Sequence, residues 1–574
     1  MKLIPAPRLL QQTEEIITNR AVFFEGADLD GRLLRAIEKL PNDPQGLPLT
    51  LQIGQGKEEN YTLDVTGAGI TITAPGAVGA FYALQTLRQL FANERVYACH
   101  IEDAPEFGFR GFYHDVTRGR VPKLETLKEL VVYMAYLKLN SLQLYVEHSF
   151  AFQEYADTTP KTGCLTAEEI RELDDYCYEN FIELIPSLSC FGHLYVLLEQ
   201  PKYRHLQVAD QYQQKHIYWY ERMAHHTIDP LHPESFPLIK SMLDQFIPLF
   251  RSNQFNICCD ETFDLQNGKH KDKDTGKLYV DFVKKLIDYV NSRGKKVMMW
   301  GDVLHQHPDR VAEIPEDVVL LNWYYGANEE IAEKMVKLFR EQNRTQIVCP
   351  ATWAWNHFSE LLWASVPNIT QMTDLAKKYG AMGVLNTNWG DYGDICSLDL
   401  TLFGLAYGAA RSWNVETQAE EMAPCADLLL YSHSGTYDIL YQLNILEHTV
   451  IYGDFSWIYH NLQYPDKLPI AERTEAELLQ ARDACRDIRQ KLQKQVWEKD
   501  DFRQEILLAA EGIQLMAEMM MLLRGYSVTR LTDTESWLGR YRTAWLKKNK
   551  ESELAEIEKM FRFMENAVRE GKTM

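Results

Sequence analysis

Two adjacent carboxylates, Asp260 and Glu261, follow an apolar run at residues 254–259. Carboxyl groups serve as general acids and bases, and a close pair can have pKa values that are pushed apart. Aromatic and polar residues follow other apolar runs in the same way: Glu147, His193, Trp300, Trp323, Tyr325, Trp389 and Asp391. Tryptophan rings stack on sugar rings and carboxylates bind hydroxyl groups, so this set favours carbohydrate chemistry. The alternative is that the aromatic residues serve packing alone.

These residues need a frame that brings the ends of separate strands together. From about residue 108 onward, apolar strand-like runs alternate with amphipathic helical runs, which is typical of βαβ units and a parallel sheet. The predicted strands cover 108–116, 141–146, 182–189, 254–260, 296–302, 318–324, 345–351 and 381–389. Eight such strands predict a (β/α)8 TIM barrel, in which the active site lies where the strands end. An open doubly wound sheet is the alternative, but no glycine-rich phosphate loop follows the first strand.

The segments on either side of the barrel differ from it in pattern. Residues 1–102 mix alternating runs with a helical stretch at 79–90, which predicts a small α+β domain. We assign 103–424 to the catalytic barrel and 425–574 to a helical domain that carries no visible chemistry. The methionines at 516 and 519–521 are candidates for core packing or for the interface of a homodimer.

Charge and composition exclude several classes of function. The chain has 60 basic and 81 acidic residues, a formal net charge of −21, so we expect it to bind neither nucleic acid nor an anionic membrane. Its beginning lacks the apolar stretch of a signal peptide, and we find no apolar run of about 18 residues. Ten scattered cysteines suit reduced thiols better than a disulfide framework. We therefore expect a cytoplasmic location.

Several segments, in order along the chain, resemble family 20 glycoside hydrolases, the β-N-acetylhexosaminidases. Residues 109–118, Phe-Arg-Gly-Phe-Tyr-His-Asp-Val-Thr-Arg, are similar to the first barrel strand of that family. Residues 257–262, Ile-Cys-Cys-Asp-Glu-Thr, resemble its Asp-Glu pair on strand four. Trp300, Trp323 and the Trp389-Gly390-Asp391 segment fall where the family has its sugar-enclosing residues, and helix 79–90 is similar to one in its N-terminal domain. The resemblance covers about residues 1–415.

The resemblance implies a role for each matched residue. Glu261 would be the general acid and base, Asp260 would orient the acetamido group of the substrate, and His193 would hydrogen-bond the acid. Arg110 and Asp391 would bind ring hydroxyls, and Trp300, Trp323 and Trp389 would wall the pocket. Two of these residues have a structural alternative, since Arg110 could belong to an ion pair and His193 could be a packed histidine.

The chain also departs from the family pattern. Where the family often has two aspartates after strand two, this chain has Glu147-His148, so Glu147 is the candidate carboxylate behind His193 or a substrate ligand. The tyrosine that assists the acetamido group in many members is not cleanly placed. Tyr324 and Tyr325 are near, and Trp355-Asn356 occupies the stretch where that tyrosine is expected.

The expected reaction is substrate-assisted hydrolysis by an exo-acting retaining β-N-acetylhexosaminidase. Adjacent residues cannot easily straddle a sugar, as the two carboxylates of an ordinary retaining glycosidase do. Instead, Glu261 would protonate the leaving oxygen while the acetamido oxygen attacks to give an oxazolinium, with Asp260 charged beside it. The nearby charges are expected to keep Glu261 protonated.

Two alternatives remain. One is a two-carboxylate retaining glycosidase that pairs Glu261 with Asp391 or Glu147, and the other is a sugar-binding protein without catalysis. We expect a small carbohydrate with a terminal N-acetylhexosamine as the substrate, no cofactor and no metal. The histidines at 225, 226 and 232, and those at 305 and 307, lack the spacing of a metal site.

Overall fold

The computed structural model describes residues 1–573 except 27–28, 160–162, 210–225, 452–454, 465–466, 469, 471 and 529–530. Its N-terminal part is a mixed six-stranded sheet in the order β1-β6-β4-β5-β3-β2. These strands are β1 (Leu9–Ile17), β2 (Val22–Phe23), β3 (Leu47–Ile53), β4 (Tyr61–Thr66), β5 (Gly69–Ala74) and β6 (Val96–Asp103). Helix α2 (Ala77–Ala92) packs closely on the sheet, because Gly79 lies so near Asn60 that a Cβ would come 2.4 Å from the Asn60 carbonyl oxygen. The predicted α+β fold is confirmed.

Eight parallel strands close into a barrel, as predicted. They are β7 (Phe109–Asp115), β8 (Ser141–Val146), β9 (Glu183–Leu188), β10 (Gln254–Asn256), β11 (Lys296–Trp300), β12 (Val319–Trp323), β13 (Gln346–Cys349) and β14 (Gly383–Asn388). Every residue of β7, β8 and β14 is buried, because each strand packs against side chains inside the barrel and against helices outside it. Closure comes from β14 pairing with β7.

Helices connect the strands and surround the barrel. In chain order the described helices up to the end of the barrel are α1 (Gly31–Glu38), α2, α3 (Leu124–Tyr136), α4 (Ala167–Glu179), α5 (Tyr195–Leu198), α6 (Ser235–Phe246), α7 (Asp264–Asn267), α8 (Thr275–Ser292), α9 (Asp302–Gln306), α10 (Glu329–Glu341), α11 (Leu362–Tyr379) and α12 (Leu402–Trp413). Sequence sets several of their starts. Thr166 and Glu169, for example, form a reciprocal capping box at the start of α4.

The chain ends in a helical domain, also as predicted. Its helices are α13 (Ala419–Ala426), α14 (Thr436–Val450), α15 (Phe455–Gln463), α16 (Glu475–Gln493), α17 (Asp500–Leu523), α18 (Thr534–Lys548) and α19 (Leu554–Arg569). Helix α17 is long and apolar enough to cross a membrane by length and composition, but most of it is buried inside this domain. Its four methionines, Met516 and Met519–Met521, are fully buried, so the suggestion that they form a dimer interface is wrong.

The predicted domain limits can be set beside these elements. Strand β6 ends at Asp103 and the first barrel strand begins at Phe109, on either side of the limit predicted at 102/103. The limit predicted after residue 424 falls inside α13. The divisions themselves stay predictions.

Candidate active site

A pocket of about 220 Å³ opens at the end of the barrel where the strands end. It is lined by Arg118, His193, Asp260, Glu261, Trp323, Tyr325, Trp355, Trp389, Asp391 and Tyr392. Seven of the ten residues predicted for the site are in this set. Arg118, Trp355 and Tyr392 were not predicted, although all three follow barrel strands in the sequence.

The loop that carries the two carboxylates leaves β10 in an unusual conformation. Cys258, Cys259 and Glu261 all have positive φ angles, of 55°, 66° and 47°, which non-glycine residues rarely adopt. The surroundings hold this backbone in place, since the Tyr279 hydroxyl donates to the Cys259 carbonyl at 2.8 Å. Strained backbone that is held in place by the surrounding structure is a recurrent feature of functional sites.

Asp260 and Glu261 both reach the same nitrogen atom of His193. The Nε2 atom of His193 lies 3.2 Å from Asp260 Oδ2 and 3.3 Å from Glu261 Oε2. The second carboxylate oxygen of Asp260 is buried and has no hydrogen-bond partner among the described residues. Gly192 allows this convergence, because a Cβ there would lie 2.4 Å from the Asp260 carbonyl oxygen.

His193 is held from behind by two residues. Glu147 Oε1 lies 3.9 Å from His193 Nδ1, while the His226 ring stacks on the His193 ring at 4.8 Å. Burial and the neighbouring His193 lower the pKa of His226, so its Nδ1 can accept the backbone N–H of His193 at 2.9 Å. Sequence reasoning considered His226 only as a metal ligand, and did not foresee this contact.

The protons of the site are placed differently from our expectation. Burial lowers the pKa of His193, but the Asp260 and Glu261 carboxylates outweigh it and raise that pKa well above its ordinary value. Burial raises the pKa of Glu261, but His193 outweighs it and the net pKa is lowered. The prediction that nearby charges keep Glu261 protonated is therefore wrong for the empty pocket, because the adjacent imidazolium favours the carboxylate.

A third carboxyl group, Asp302 at the start of α9, lies behind the pair. Its Oδ2 accepts the backbone N–H of Glu261 at 3.0 Å. Burial and the charge of Asp260 raise the pKa of Asp302 to about 8, so this carboxyl holds a proton at neutral pH. No sequence pattern marked Asp302 for this role, because its effect depends on its distance from Glu261.

The opposite side of the pocket is built around Arg118. Its guanidinium pairs with Asp115 at 2.7 Å and with Asp391 at 2.5 Å, and it lies over the Trp389 ring at 4.8 Å. Burial raises the pKa of Asp391 to about 6, against the opposing effect of Arg118. A buried arginine and carboxylate beside an aromatic face can bind neighbouring hydroxyl groups through several donors and acceptors.

Aromatic rings form the remaining wall. Trp323 and Tyr325 stack at 5.0 Å, Tyr325 lies 5.4 Å from Trp355, and Trp355 stacks on Trp353 at 4.7 Å. The indole N–H of Trp389 donates to the Tyr325 hydroxyl at 2.6 Å. Tyr325 therefore keeps its own hydroxyl proton available as a donor.

Three predicted ligands of the substrate do not line the pocket. Arg110 is fully buried near the start of β7, where it bonds Glu59, Tyr82 and the Phe107 carbonyl oxygen. The prediction that Arg110 binds sugar hydroxyls is wrong, because that end of the strand lies at the opposite end of the barrel.

The other two residues, Trp300 and Glu147, are buried below the surface of the pocket. Trp300 is fully buried in the barrel core, 5.1 Å from the Tyr113 ring and 5.7 Å from the Trp389 ring, so it lies under the pocket wall. Glu147 is also buried, and its Oε1 accepts the Tyr145 hydroxyl at 2.9 Å. It supports His193, as one of our two interpretations has it, and does not reach the pocket as a substrate ligand.

Two groups of described residues could geometrically hold a metal ion. One donor atom each from His193, Asp260 and Glu261 lies within 4.8 Å of the others, as do donor atoms from His205, His232 and Glu234. His225, which the sequence analysis weighed as a ligand, lies outside the described residues. The expectation that the reaction needs no metal stays a prediction.

Two family models match most of the chain between them. Residues 107–391 match the catalytic-domain model of glycosyl hydrolase family 20, and residues 2–104 match the model of that family's domain 2. A beta-hexosaminidase of Porphyromonas gingivalis is 27% identical over 285 residues, which are 43% of this chain and 36% of that protein. Human hexosaminidase D is 25% identical over 254 residues, 42% of this chain and 49% of that protein. The chain thus spans less than half the length of both relatives.

Solved structures share the fold. A chitobiase of Flavobacterium johnsoniae superposes with a TM-score of 0.61 at 18% identity, covering 94% of this chain and 95% of that one. An exo-β-N-acetylglucosaminidase of Vibrio harveyi, solved in complex with N-acetylglucosamine, has a TM-score of 0.59 at 18% identity and covers 74% of this chain and 77% of that one. At these identities the likeness concerns the fold alone.

Proposed function

The chain belongs to glycosyl hydrolase family 20, and on that premise we propose that it is an exo-acting, retaining β-N-acetylhexosaminidase. It removes a terminal, non-reducing, β-linked N-acetylglucosamine or N-acetylgalactosamine. One observation carries the proposal: two adjacent carboxylates meet at one histidine nitrogen in a small pocket walled by aromatic rings. A pocket of about 220 Å³ suits a single terminal sugar better than the middle of a polysaccharide.

The two carboxylates divide the work. Glu261 donates a proton to the glycosidic oxygen, and the bond from that oxygen to the anomeric carbon breaks. The acetamido oxygen of the same sugar forms the new bond to that carbon, which gives an oxazolinium ion. Glu261 then takes a proton from a water molecule as that water attacks the anomeric carbon. The bond from this carbon to the acetamido oxygen breaks, which opens the oxazolinium ring, so two inversions leave the β configuration.

The proton that Glu261 donates is supplied within the site. In the free pocket the proton rests on His193, whose Nε2 lies 3.3 Å from Glu261 Oε2. A bound sugar displaces water from the Glu261 side chain, which is 23% exposed, and this desolvation favours its neutral form. The proton can then pass from His193 to Glu261 without crossing solvent.

The acetamido group has a matching partner for each of its polar atoms. Asp260 lines the pocket, and its carboxylate can accept the acetamido N–H. The hydroxyl of Tyr325 already accepts the Trp389 indole, so its own proton can point at the acetamido oxygen. Tyr325 thus takes the place of the tyrosine that we could not locate from the sequence.

The two-carboxylate alternative fits the site less well. Asp260 and Glu261 approach the same side of His193, so they cannot lie on opposite faces of one sugar. Asp391 is engaged by Arg118 and has a pKa of about 6, which makes it a poor nucleophile in mildly acidic solution. Glu147 is buried behind His193.

The proposal is tested with aryl glycosides and one variant. The protein should hydrolyse 4-nitrophenyl β-N-acetylglucosaminide and scarcely act on the β-glucoside, which lacks the acetamido nucleophile. Glu261→Gln should lose about 10²–10⁴-fold of the rate on poor leaving groups and much less on activated aryl groups. Equal turnover of both sugars, or a sugar ester trapped on a carboxylate of this chain, would favour the two-carboxylate mechanism. Binding of N-acetylglucosamine without any hydrolysis would indicate the non-catalytic alternative.

We also propose a cytoplasmic location and leave the homodimer as a prediction. Support for the location comes from the ten cysteines, all unbonded and nine of them buried. Fractionation of cells that express the protein tests the location, and sedimentation tests the oligomeric state.

A further inference from the structure

The loop after the seventh barrel strand brings Trp355 into the pocket and is held in a strained shape. Trp353 and Asn356 have positive φ angles of 52° and 65°. The backbone N–H of Leu361 donates to the Trp353 carbonyl at 3.0 Å and ties the two ends of the loop together. Residues in such conformations persist only where the surrounding structure fixes them.

Helix α14 of the C-terminal domain supplies that fixation. Glu447 accepts the backbone N–H groups of Phe358 at 2.5 Å and Ser359 at 3.3 Å, and the Ser359 hydroxyl at 3.2 Å. Asn444, one turn earlier, accepts the backbone N–H of Leu362 and donates to the Ser359 hydroxyl at 3.1 Å. Glu447 and Asn444 are both fully buried, and the side-chain hydrogen bonds described for them all go to this one loop.

Apolar contacts continue the same connection. The Phe358 ring lies 6.0 Å from Trp537 of α18 and 6.3 Å from Phe561 of α19. Helix α17 approaches the ring at Gly512, where a Cβ would come 2.5 Å from Phe358 Cε1. Four helices of the C-terminal domain therefore enclose the base of the loop that carries Trp355.

The same domain reaches a second loop of the pocket. The Tyr541 hydroxyl donates to the Ile395 carbonyl at 3.1 Å and accepts Arg120 at 3.0 Å. Ile395 follows Asp391 by four residues in the loop after the eighth strand. The domain thus touches the loops on the Trp355 and Asp391 side of the pocket.

We propose that Glu447 and Asn444 are positioning residues that set the place of Trp355, so that the helical domain determines how tightly the pocket binds its sugar. The proposal rests on the proposed function for its kinetic readout. It gives the C-terminal domain, none of whose described residues lines the pocket, a defined part in substrate binding. Neither residue touches the pocket, and both act through the loop at 353–362.

The first test compares Glu447→Gln with Trp355→Ala. An amide has one acceptor oxygen where Glu447 uses two, so one loop N–H loses its partner. We expect Glu447→Gln to raise KM for the aryl N-acetylglucosaminide by about three- to tenfold with little change in kcat, as when binding common to ground and transition states is lost. Trp355→Ala should raise KM by about tenfold, and the double variant should resemble it. Additive effects in the double variant would contradict action through Trp355.

Glu518→Gln is the matched control. Glu518 is a buried glutamate of α17 that accepts the Thr532 N–H at 2.6 Å and the Gln514 amide at 2.9 Å, inside the helical domain. Its variant should lower the melting temperature and leave KM unchanged. A lower melting temperature with unchanged KM in Glu447→Gln as well would reduce Glu447 to a structural residue and overturn the proposal.

A readout without substrate separates this inference from the proposed function. In protein labelled with 5-fluorotryptophan, the ¹⁹F resonance of Trp355, assigned with Trp355→Phe, should shift in Glu447→Gln and stay in place in Glu518→Gln. If the Trp355 resonance does not shift in Glu447→Gln, the positioning role is overturned. If it shifts but the wild-type protein does not hydrolyse the substrate, only the proposed activity is overturned. If Glu447→Gln does not fold, Ser359→Ala removes the hydroxyl shared by Glu447 and Asn444, and KM is expected to rise about threefold. No rise in that variant contradicts the proposal.

Discussion

Arg110 and Arg118 lie on the first barrel strand and its loop, and substituting each by alanine should destabilise the fold, whereas only the Arg118 substitution should impair hydrolysis. Arg110 is enclosed at the far end of the barrel, where it donates to the Phe107 carbonyl at 2.8 Å, the Lys138 carbonyl at 3.1 Å and the Tyr82 hydroxyl at 3.0 Å. Arg118 lines the pocket. The pair therefore tests which arginine meets the substrate.

The cost of Arg110→Ala follows from its contacts. Each buried acceptor that loses its donor costs about 1–3 kcal/mol, and Glu59 loses its ion-pair partner. Removing one partner of such a buried network costs about 3–5 kcal/mol in all. For a barrel that melts as one unit, this lowers the melting temperature by roughly 5–8 °C. Since Arg110 is remote from the pocket, kcat/KM of the folded variant should stay within about twofold of the wild type.

Arg118→Ala should reduce kcat/KM by about 10²-fold or more, because the variant removes a guanidinium that lines the proposed sugar pocket, and a hydrogen bond to a charged group is worth about 1.5–3 kcal/mol. It should also lower the melting temperature, since Asp115 and Asp391 lose their ion-pair partner. Thermal melts by circular dichroism and steady-state hydrolysis of an aryl N-acetylglucosaminide measure both quantities. An Arg110→Ala protein that melts like the wild type but loses 100-fold in kcat/KM would refute the assignment.

Three further predictions concern two buried carboxyl groups and two tryptophans. Burial raises the pKa of Glu360 to about 8. A buried carboxyl with a raised pKa makes the folded protein less stable as pH rises from the ordinary pKa of the group to the raised one. Between about pH 5 and 8 the melting temperature of Glu360→Gln should therefore fall less than that of the wild type. Asp302 holds a proton at pH 7, so Asp302→Asn should retain kcat/KM within about threefold there and escape the activity loss of the wild type above pH 8, where Asp302 ionises near Asp260. A uniform loss at all pH values would show that the Asp302 carboxylate itself is needed. Trp300→Phe should lower the melting temperature with little change in KM, and Trp323→Ala should do the reverse; a raised KM for Trp300→Phe would place Trp300 in the pocket wall.

The sequence alone determined the architecture, and the reason is local. Strands of a closed parallel barrel are buried on both faces, so they read as continuous apolar runs, and all eight are found within the predicted ranges. Asp260 and Glu261 are consecutive residues, so their proximity is likewise given by the sequence. Because strand ends meet at one rim, the predicted residues are expected to share a pocket, and seven of the ten do.

The sequence did not show how deeply a side chain is buried, or at which end of its strand a residue lies. Arg110 lies five residues before Asp115, about 17 Å along an extended strand, and so at the other end of the barrel. Trp300 and Trp389 both follow apolar runs, yet only the packing of Trp300 under Tyr113 and Trp389 decides which of the two meets a ligand.

Tertiary structure alone decided the protonation of the site and the support of its loops. A carboxylate's pKa depends on the distance to charges that arrive from other strands, and His193 lies 67 positions before Asp260 in the chain. Glu447 accepts a hydrogen bond from the backbone N–H of Phe358, which lies 89 positions earlier in the chain. Neither relation leaves a periodicity or a motif, because the contacts join segments whose sequences are otherwise independent. The pattern of residues thus specified the barrel and its adjacent carboxylates, while tertiary packing set which residue near them holds the proton and where Trp355 lies.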